Sequence, residues 1–157
     1  IRIGLWGGEE QAFLGSAAYA KKHFGALNEK PNAESTKVSA YLNLDNGAGV
    51  IRGVYLQDNE LARPVFQKIF EPIANLSPGT ITIENTVDTD HETFDYYNIP
   101  SFQFIQDKLA YNTSTHHTNL DLLEYVYEDD IMKNAVILAW AIYSLDNMKE
   151  KIPRKLN

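Results

Sequence analysis

Two glutamates, Glu9 and Glu10, stand side by side in "IRIGLWGGEEQAFLGS", directly after Gly7 and Gly8. Further along, Asp45 closes "YLNLD", "DTDHETF" carries Asp88, Asp90 and His91, and "NTSTHHTNLD" carries His116, His117 and Asp121. The chain has no cysteine. Carboxylate and imidazole without thiol is the ligand set of a catalytic rather than a structural zinc site. Adjacent carboxylates on a turn leave the backbone in different directions, so one can bind a metal while the other faces a water as general base. Each residue also has a plainer use. Paired acids suit a helix N-terminus, and Asp45 before Asn46 and Gly47 suits a turn. Asp90 suits an N-cap, and two histidines suit a polar loop. Taken one at a time, none of these signals is specific.

The elements around them decide whether they meet. Residues 1–6 are mostly apolar and predict a strand buried on both faces. Residues 10–24 predict a helix with Phe13, Leu14, Ala17 and Ala20 or Lys21 at helical spacing and Lys21, Lys22 and His23 late, where the dipole favours cations. Glu9 and Glu10 therefore fall on a strand-to-helix turn. In open α/β sheets, ligands bind at such carboxyl ends of strands. A polar connection over 25–36 precedes a strand over 37–46, and a short strand covers 51–57. A helix over 59–76 points Leu61, Val65, Phe66, Ile69, Phe70 and Ile73 inward, with Pro64 in its first turns and Pro72 kinking or ending it. Strands over 80–86 and 99–107 flank a short helix over 90–98, and a loop over 108–121 follows. The last helix, 128–149, offers Met132, Val136, Ala139, Ile142 and Tyr143 as a core face, widened by Leu138 and Leu145. Strands alternating with helices predict an α/β fold with a mostly parallel mixed sheet flanked by helices.

The totals bound the function. At 157 residues and 44% hydrophobic, the chain suits one domain with a real core. A net charge of −7 without a basic stripe argues against a nucleic-acid or anionic-membrane surface. No apolar run approaches the roughly 20 residues that cross a bilayer. Ile1 falls inside an expected strand with no methionine or leader before it. The expectation is a boundary made by processing or cloning, with an upstream part absent.

Taken in order, "LWGGEEQAFLGS", "YLNLDN", "TDHETFDYYNIPSFQF" and "HHTNLD" resemble the second half of the M28 peptidases, the dizinc aminopeptidases and carboxypeptidases. The likeness is greatest to the branch that includes carboxypeptidase Q, with its double histidine before a Ser/Thr-x-x-Asp run and a charged tail like "KEKIPRK". The resemblance covers nearly the whole chain. It implies a zinc-exopeptidase (phosphorylase/hydrolase-like) fold and hydrolysis of peptide bonds, of aminopeptidase or dipeptidase type, by a metal-bridging water.

Carried over by position, the resemblance makes Glu9 the general base and Glu10, Asp45 and His117 zinc ligands. It puts Asp121 behind the ligands, orienting the His117 loop. It puts Asp90 and His91 on the substrate side or behind the ligands. His116 stands where several relatives have a tyrosine that assists the oxyanion. The family also uses an upstream histidine and a bridging aspartate, so only three of five ligands lie in this chain. The expectation is therefore an incomplete catalytic domain, residues 1–157 being its C-terminal portion. Two zinc ions would be held by the intact site and weakly or incompletely by this chain, which alone would be inactive. An exposed sheet edge could pair with another copy. A periplasmic or secreted location follows from relatives with signal peptides. Two other readings stand beside the peptidase: a non-catalytic relative that binds peptides or partners, and a glutaminyl-cyclase-like acyl transferase on the same fold.

Overall fold

The computed structural model describes residues 1–27, 30 and 32–155. Its sheet has four strands, β1 (Tyr41–Asn43), β2 (Ile51–Tyr55), β3 (Thr80–Thr82) and β4 (Ser101–Gln106), in the order β1-β4-β2-β3. β1 runs parallel to β4 with Asn43 opposite Gln103, and β2 runs parallel to β3. β2 and β4 are antiparallel, with Val54 opposite Phe104. The mostly parallel mixed sheet expected from the sequence is what forms. α1 (Leu14–Phe24), α2 (Arg63–Phe70), α3 (His91–Asp95) and α4 (Glu128–Asp146) flank it.

Strand alternation divides the side chains between two apolar clusters. Phe102 and Phe104 of β4 join Ile51 and Val54 of β2, Phe66 and Ile69 of α2, and Ile137 and Ala141 of α4. A smaller cluster gathers Ala20 and Phe24 of α1 with Phe94, Tyr97 and Ile99, and Trp6, Tyr19 and Tyr41 pack against it. Between those residues of opposite parity, β1 and β4 present the polar pair Asn43 and Gln103, both buried. That polar pair underlies the site described below.

Several local expectations change in the fold. Residues 1–6 form no strand, and Ile1, Ile3 and Leu5 are 79%, 85% and 93% exposed. A strand is stable only where its amides find a ladder, and none of these residues pairs with the sheet. α1 begins at Leu14 rather than near residue 10, because Ala12 and Phe13 take left-handed backbone at φ 69° and 58°. Its buried positions are Ser16, Ala20 and Phe24, and Leu14 is exposed. α2 stops at Phe70 and continues as tighter turns from Glu71 to Leu76, where Pro72 removes an amide donor. α4 turns inward a face rotated from the one expected, with Leu138 and Leu145 of the expected set still packed against the core. Asn134, Ile137 and Ala141 are buried, while Met132, Val136 and Tyr143 are 59%, 53% and 61% exposed. No described helix is long and apolar enough to cross a membrane.

Candidate active site

The turn that carries the glutamates is built from glycine. Gly8 takes φ 70°, a conformation costly to any residue with a Cβ. A Cβ on Gly15 would lie 2.7 Å from the Gly7 carbonyl oxygen, so only glycine lets α1 approach the turn this closely. The approach is sealed by backbone bonds from Leu14 N–H to the Gly8 carbonyl and from Gly15 N–H to the Gly7 carbonyl, both 3.0 Å. A third bond, from Phe13 N–H to the Glu9 carbonyl at 2.9 Å, closes the loop. The tight "GGEE" turn thus fixes Glu9 and Glu10 at the foot of α1.

These residues face a cleft of about 470 Å³ lined by Glu9, Glu10, Asp45, Asp88, Lys108, Tyr111, His116 and His117, among others. An adjoining hollow of about 310 Å³ adds Asp121 and Thr118 to Glu10, Asp45, Tyr111 and the two histidines. The fold therefore gathers seven of the nine residues singled out in the sequence: Glu9, Glu10, Asp45, Asp88, His116, His117 and Asp121. Glu10 and His117 touch, with Oε1 and Nε2 2.8 Å apart. His117 reaches Glu10 from a left-handed backbone position, φ 58°, at the end of a π-type turn over Tyr111–Thr115. The His116 ring stacks on Tyr111, centroids 4.6 Å apart, and lies 3.7 Å from the His117 ring. Asp45 follows β1 and accepts a hydrogen bond from the Thr89 hydroxyl at 2.5 Å.

Asp90 and His91 are placed elsewhere. Asp90 is 6% exposed and makes no side-chain cap at α3, its Oδ1 instead accepting from Ser16 Oγ at 2.5 Å. His91 is fully buried and lines neither hollow. Its Nε2 lies 2.6 Å from Gln57 Nε2 and 3.1 Å from the Thr86 carbonyl. Residues that the sequence did not single out also enter the cleft or support it: Tyr111, Lys108, Thr89 and Asn43. Tyr111 sits five residues before His116 in a polar loop, and no spacing rule marks it. Asn43, two residues before Asp45, was legible only as a polar residue inside an apolar strand.

The electrostatics are those of crowded acids. Burial, then the charges of Asp45, Glu10 and Asp90, push the Glu9 carboxyl above the usual carboxylate range, with His117 opposing. Burial also raises Asp90, against the Ser16 hydrogen bond, and Asp45 adds to it. Tyr111 is pushed up by burial and then by Asp45, Glu10, Glu9 and Asp121, so its phenol keeps its proton. Such a cleft favours a cation. Carboxylate oxygens from Glu10 and Asp45 with the His117 imidazole are donor types that suit zinc. Among the described residues, no three His, Cys, Asp or Glu side chains already converge closely enough to hold an ion. Glu10 and His117 supply a two-donor wall, and Asp45 lines the same cleft. By donor chemistry the residues fit; Asp45 would complete a three-donor set.

Known proteins share both sequence and fold with this chain. Residues 1–141 match the family described as Peptidase family M28. The chain is 26% identical over 163 residues to leupeptin-inactivating enzyme 1 of Streptomyces exfoliatus, covering 92% of this chain and 35% of that protein. It is 24% identical over 156 residues to carboxypeptidase Q of Mus musculus, covering 98% and 31%. Among solved structures it resembles a peptidase M28 precursor from Shewanella amazonensis SB2B, with a TM-score of 0.78 at 23% identity, over 98% of this chain and 33% of that one. It also resembles a zinc aminopeptidase from Bacillus subtilis, with a TM-score of 0.67 at 20% identity, over 94% and 38%. The chain thus spans about a third of the length of these relatives.

Proposed function

The chain belongs to peptidase family M28, and from that premise we propose that its cleft is part of the active site of a zinc-dependent exopeptidase, of aminopeptidase or dipeptidase type. The observation that carries the reading is the placement of the two glutamates of the Gly-Gly-Glu-Glu turn. Glu10 meets the His117 imidazole while Glu9, half-buried, faces the same cleft beside Asp45 with its carboxyl pushed up. Glu10, Asp45 and His117 would hold zinc. When bound, it would supply Lewis-acid polarisation of the scissile carbonyl and make water more acidic.

Glu9 accepts the proton of the attacking water and returns it to the leaving amine. The Tyr111 phenol, kept protonated, and His116 stacked on it stand on the same wall as donors for the developing oxyanion. The carboxylates of the cleft disfavour strongly anionic peptides. The reading extends to the chain as a whole: residues 1–157 are the C-terminal portion of a larger catalytic domain, which holds two zinc ions when intact. Support comes from the ligand set, three where the resemblance implies five, and from the third of the relatives' length that the chain spans. On this reading the chain by itself is inactive. A periplasmic or secreted location, and pairing of copies along the outer edge of β1, belong to the same proposal.

The test is Glu9→Gln in the intact protein. Zinc content stays unchanged and kcat on unblocked dipeptides falls by about 10²–10⁴-fold, the usual contribution of a general base. A near-normal rate would move the base elsewhere. An intact protein that hydrolyses no peptide would make this a binding relative.

A further inference from the structure

The buried polar side chains behind Asp45 form a single hydrogen-bonded chain with one direction. It begins at Trp6, whose indole can only donate, with Nε1–H reaching the Tyr41 hydroxyl oxygen at 2.9 Å. Tyr41 donates its own proton to Asn43 Oδ1 at 2.8 Å. That bond settles which way the Asn43 amide faces, turning Nδ2 toward Thr89 Oγ1 at 2.8 Å and Gln103 Oε1 at 2.7 Å. With an N–H already pointing at its oxygen, Thr89 has its hydrogen left for Asp45 Oδ2. The middle of the chain is closed to water: Thr89 and Gln103 are fully buried and Asn43 nearly so. The Tyr41 ring lies flat against Phe94, centroids 4.1 Å apart, which holds the phenol in register.

We propose that Asn43, oriented by Tyr41 and Trp6, is a positioning residue for Asp45: it commits the Thr89 hydroxyl to donate to one carboxylate oxygen and so fixes the other for a divalent cation. The inference rests on the proposed ligand role of Asp45. A threonine hydroxyl can donate or accept, and only its surroundings decide. The Asn43 amide supplies a donor where an acceptor would reverse the chain. It also accounts for a polar pair, Asn43 opposite Gln103, where β1 and β4 would otherwise bury apolar side chains.

The test is Asn43→Asp, which keeps the shape and replaces the amide donor with an acceptor. The Thr89 hydroxyl then turns toward position 43 and Asp45 loses its donor. Zinc affinity of the intact protein, from competition calorimetry, should fall about 10–100-fold, as when a metal ligand loses its outer partner. Thr89→Val should fall alike and Thr89→Ser should retain the native affinity. In metal-free protein, Tyr41→Phe should move the Trp6 indole N–H resonance upfield, because its acceptor is gone. Asp45→Asn separates the two readings. If it leaves zinc affinity unchanged, the ligand role fails and the positioning role with it. If it weakens zinc while Asn43→Asp does not, the positioning role alone is overturned.

Discussion

Ser16 donates to Asp90 across 74 residues of sequence, Oγ to Oδ1 at 2.5 Å, and the same hydroxyl oxygen lies 3.1 Å from Thr93 Oγ1. The contact joins α1, whose foot carries Glu9 and Glu10, to the segment whose Thr89 holds Asp45. Two walls of the cleft are therefore tied by one buried hydroxyl. Ser16 and Asp90 are 0% and 6% exposed, so neither can replace the other with water.

Ser16→Ala should consequently destabilise the protein by about 1–3 kcal/mol, the cost of leaving a buried acceptor without its donor. Urea unfolding checks this. Asp90→Asn, which keeps a partner for Ser16, should cost less than Ser16→Ala. Equal stabilities for the native protein and Ser16→Ala would mean that another group takes up the carboxylate.

His91 should give the protein a pH-dependent stability. Gln57 accepts the Thr86 N–H through Oε1, so its amide nitrogen faces His91 Nε2, which must accept. Protonating the ring would set two donors against each other. Burial is the first cause that holds this imidazole below its ordinary pKa near 6.5, with Lys155 adding, and with Thr86, Asp95 and Asp45 opposing. As pH falls through about 6.5, the unfolded chain takes up this proton before the folded one does. Stability is thus full above that pH and is lost below it, down to the folded-state pKa. Unfolding midpoints between pH 7 and 5 should fall more steeply for the native protein than for His91→Gln. Identical slopes would assign the proton to another group.

Gly53 permits the β2–β3 pairing. A Cβ there would lie 1.9 Å from the Thr80 carbonyl oxygen and 2.6 Å from its carbon, both backbone atoms. Gly53→Ala should force β3 away and cost about 1–3 kcal/mol or more, as overpacking does. Hydrogen exchange checks the location: amides of Thr80–Thr82 and Leu56 should lose protection while those of β1 and β4 keep it. Uniform protection would mean that the strands shift together.

Much of the fold was legible because apolar periodicity and punctuation are local. Phe102 and Phe104 alternate within a strand, and Phe66, Ile69 and Phe70 line one side of a helix. Pro72 ends that helix because it lacks an N–H. The members of the cleft were legible as residue types: Glu9 and Glu10 after two glycines, Asp45 beyond a strand, and His116 and His117 in a polar loop. Their gathering into one hollow needed the fold. So did the support for them, since Tyr111, Thr89 and Asn43 carry no mark in sequence beyond being polar.

What the chain by itself determined is the order and kind of its elements, together with the chemical types that its turns present. Which neighbour each element meets was decided only in three dimensions. Residues 1–6 are apolar enough for a strand, but a strand exists only where another strand pairs its amides. α4 shows the same point more sharply. Met132, Val136 and Tyr143 of its expected apolar stripe stay exposed, and the polar Asn134 goes inside beside Ile137 and Ala141. Asn134 Oδ1 accepts the Ile51 N–H at 2.7 Å and its Nδ2 donates to the Gly49 carbonyl at 3.0 Å, where β2 begins. The Gly49 carbonyl also accepts from Gln106 Nε2 at 3.0 Å, but leaving the Ile51 N–H buried and unpaired would cost about 1–3 kcal/mol. Periodicity along a helix counts apolar side chains, but it cannot see a distant backbone donor that needs a partner.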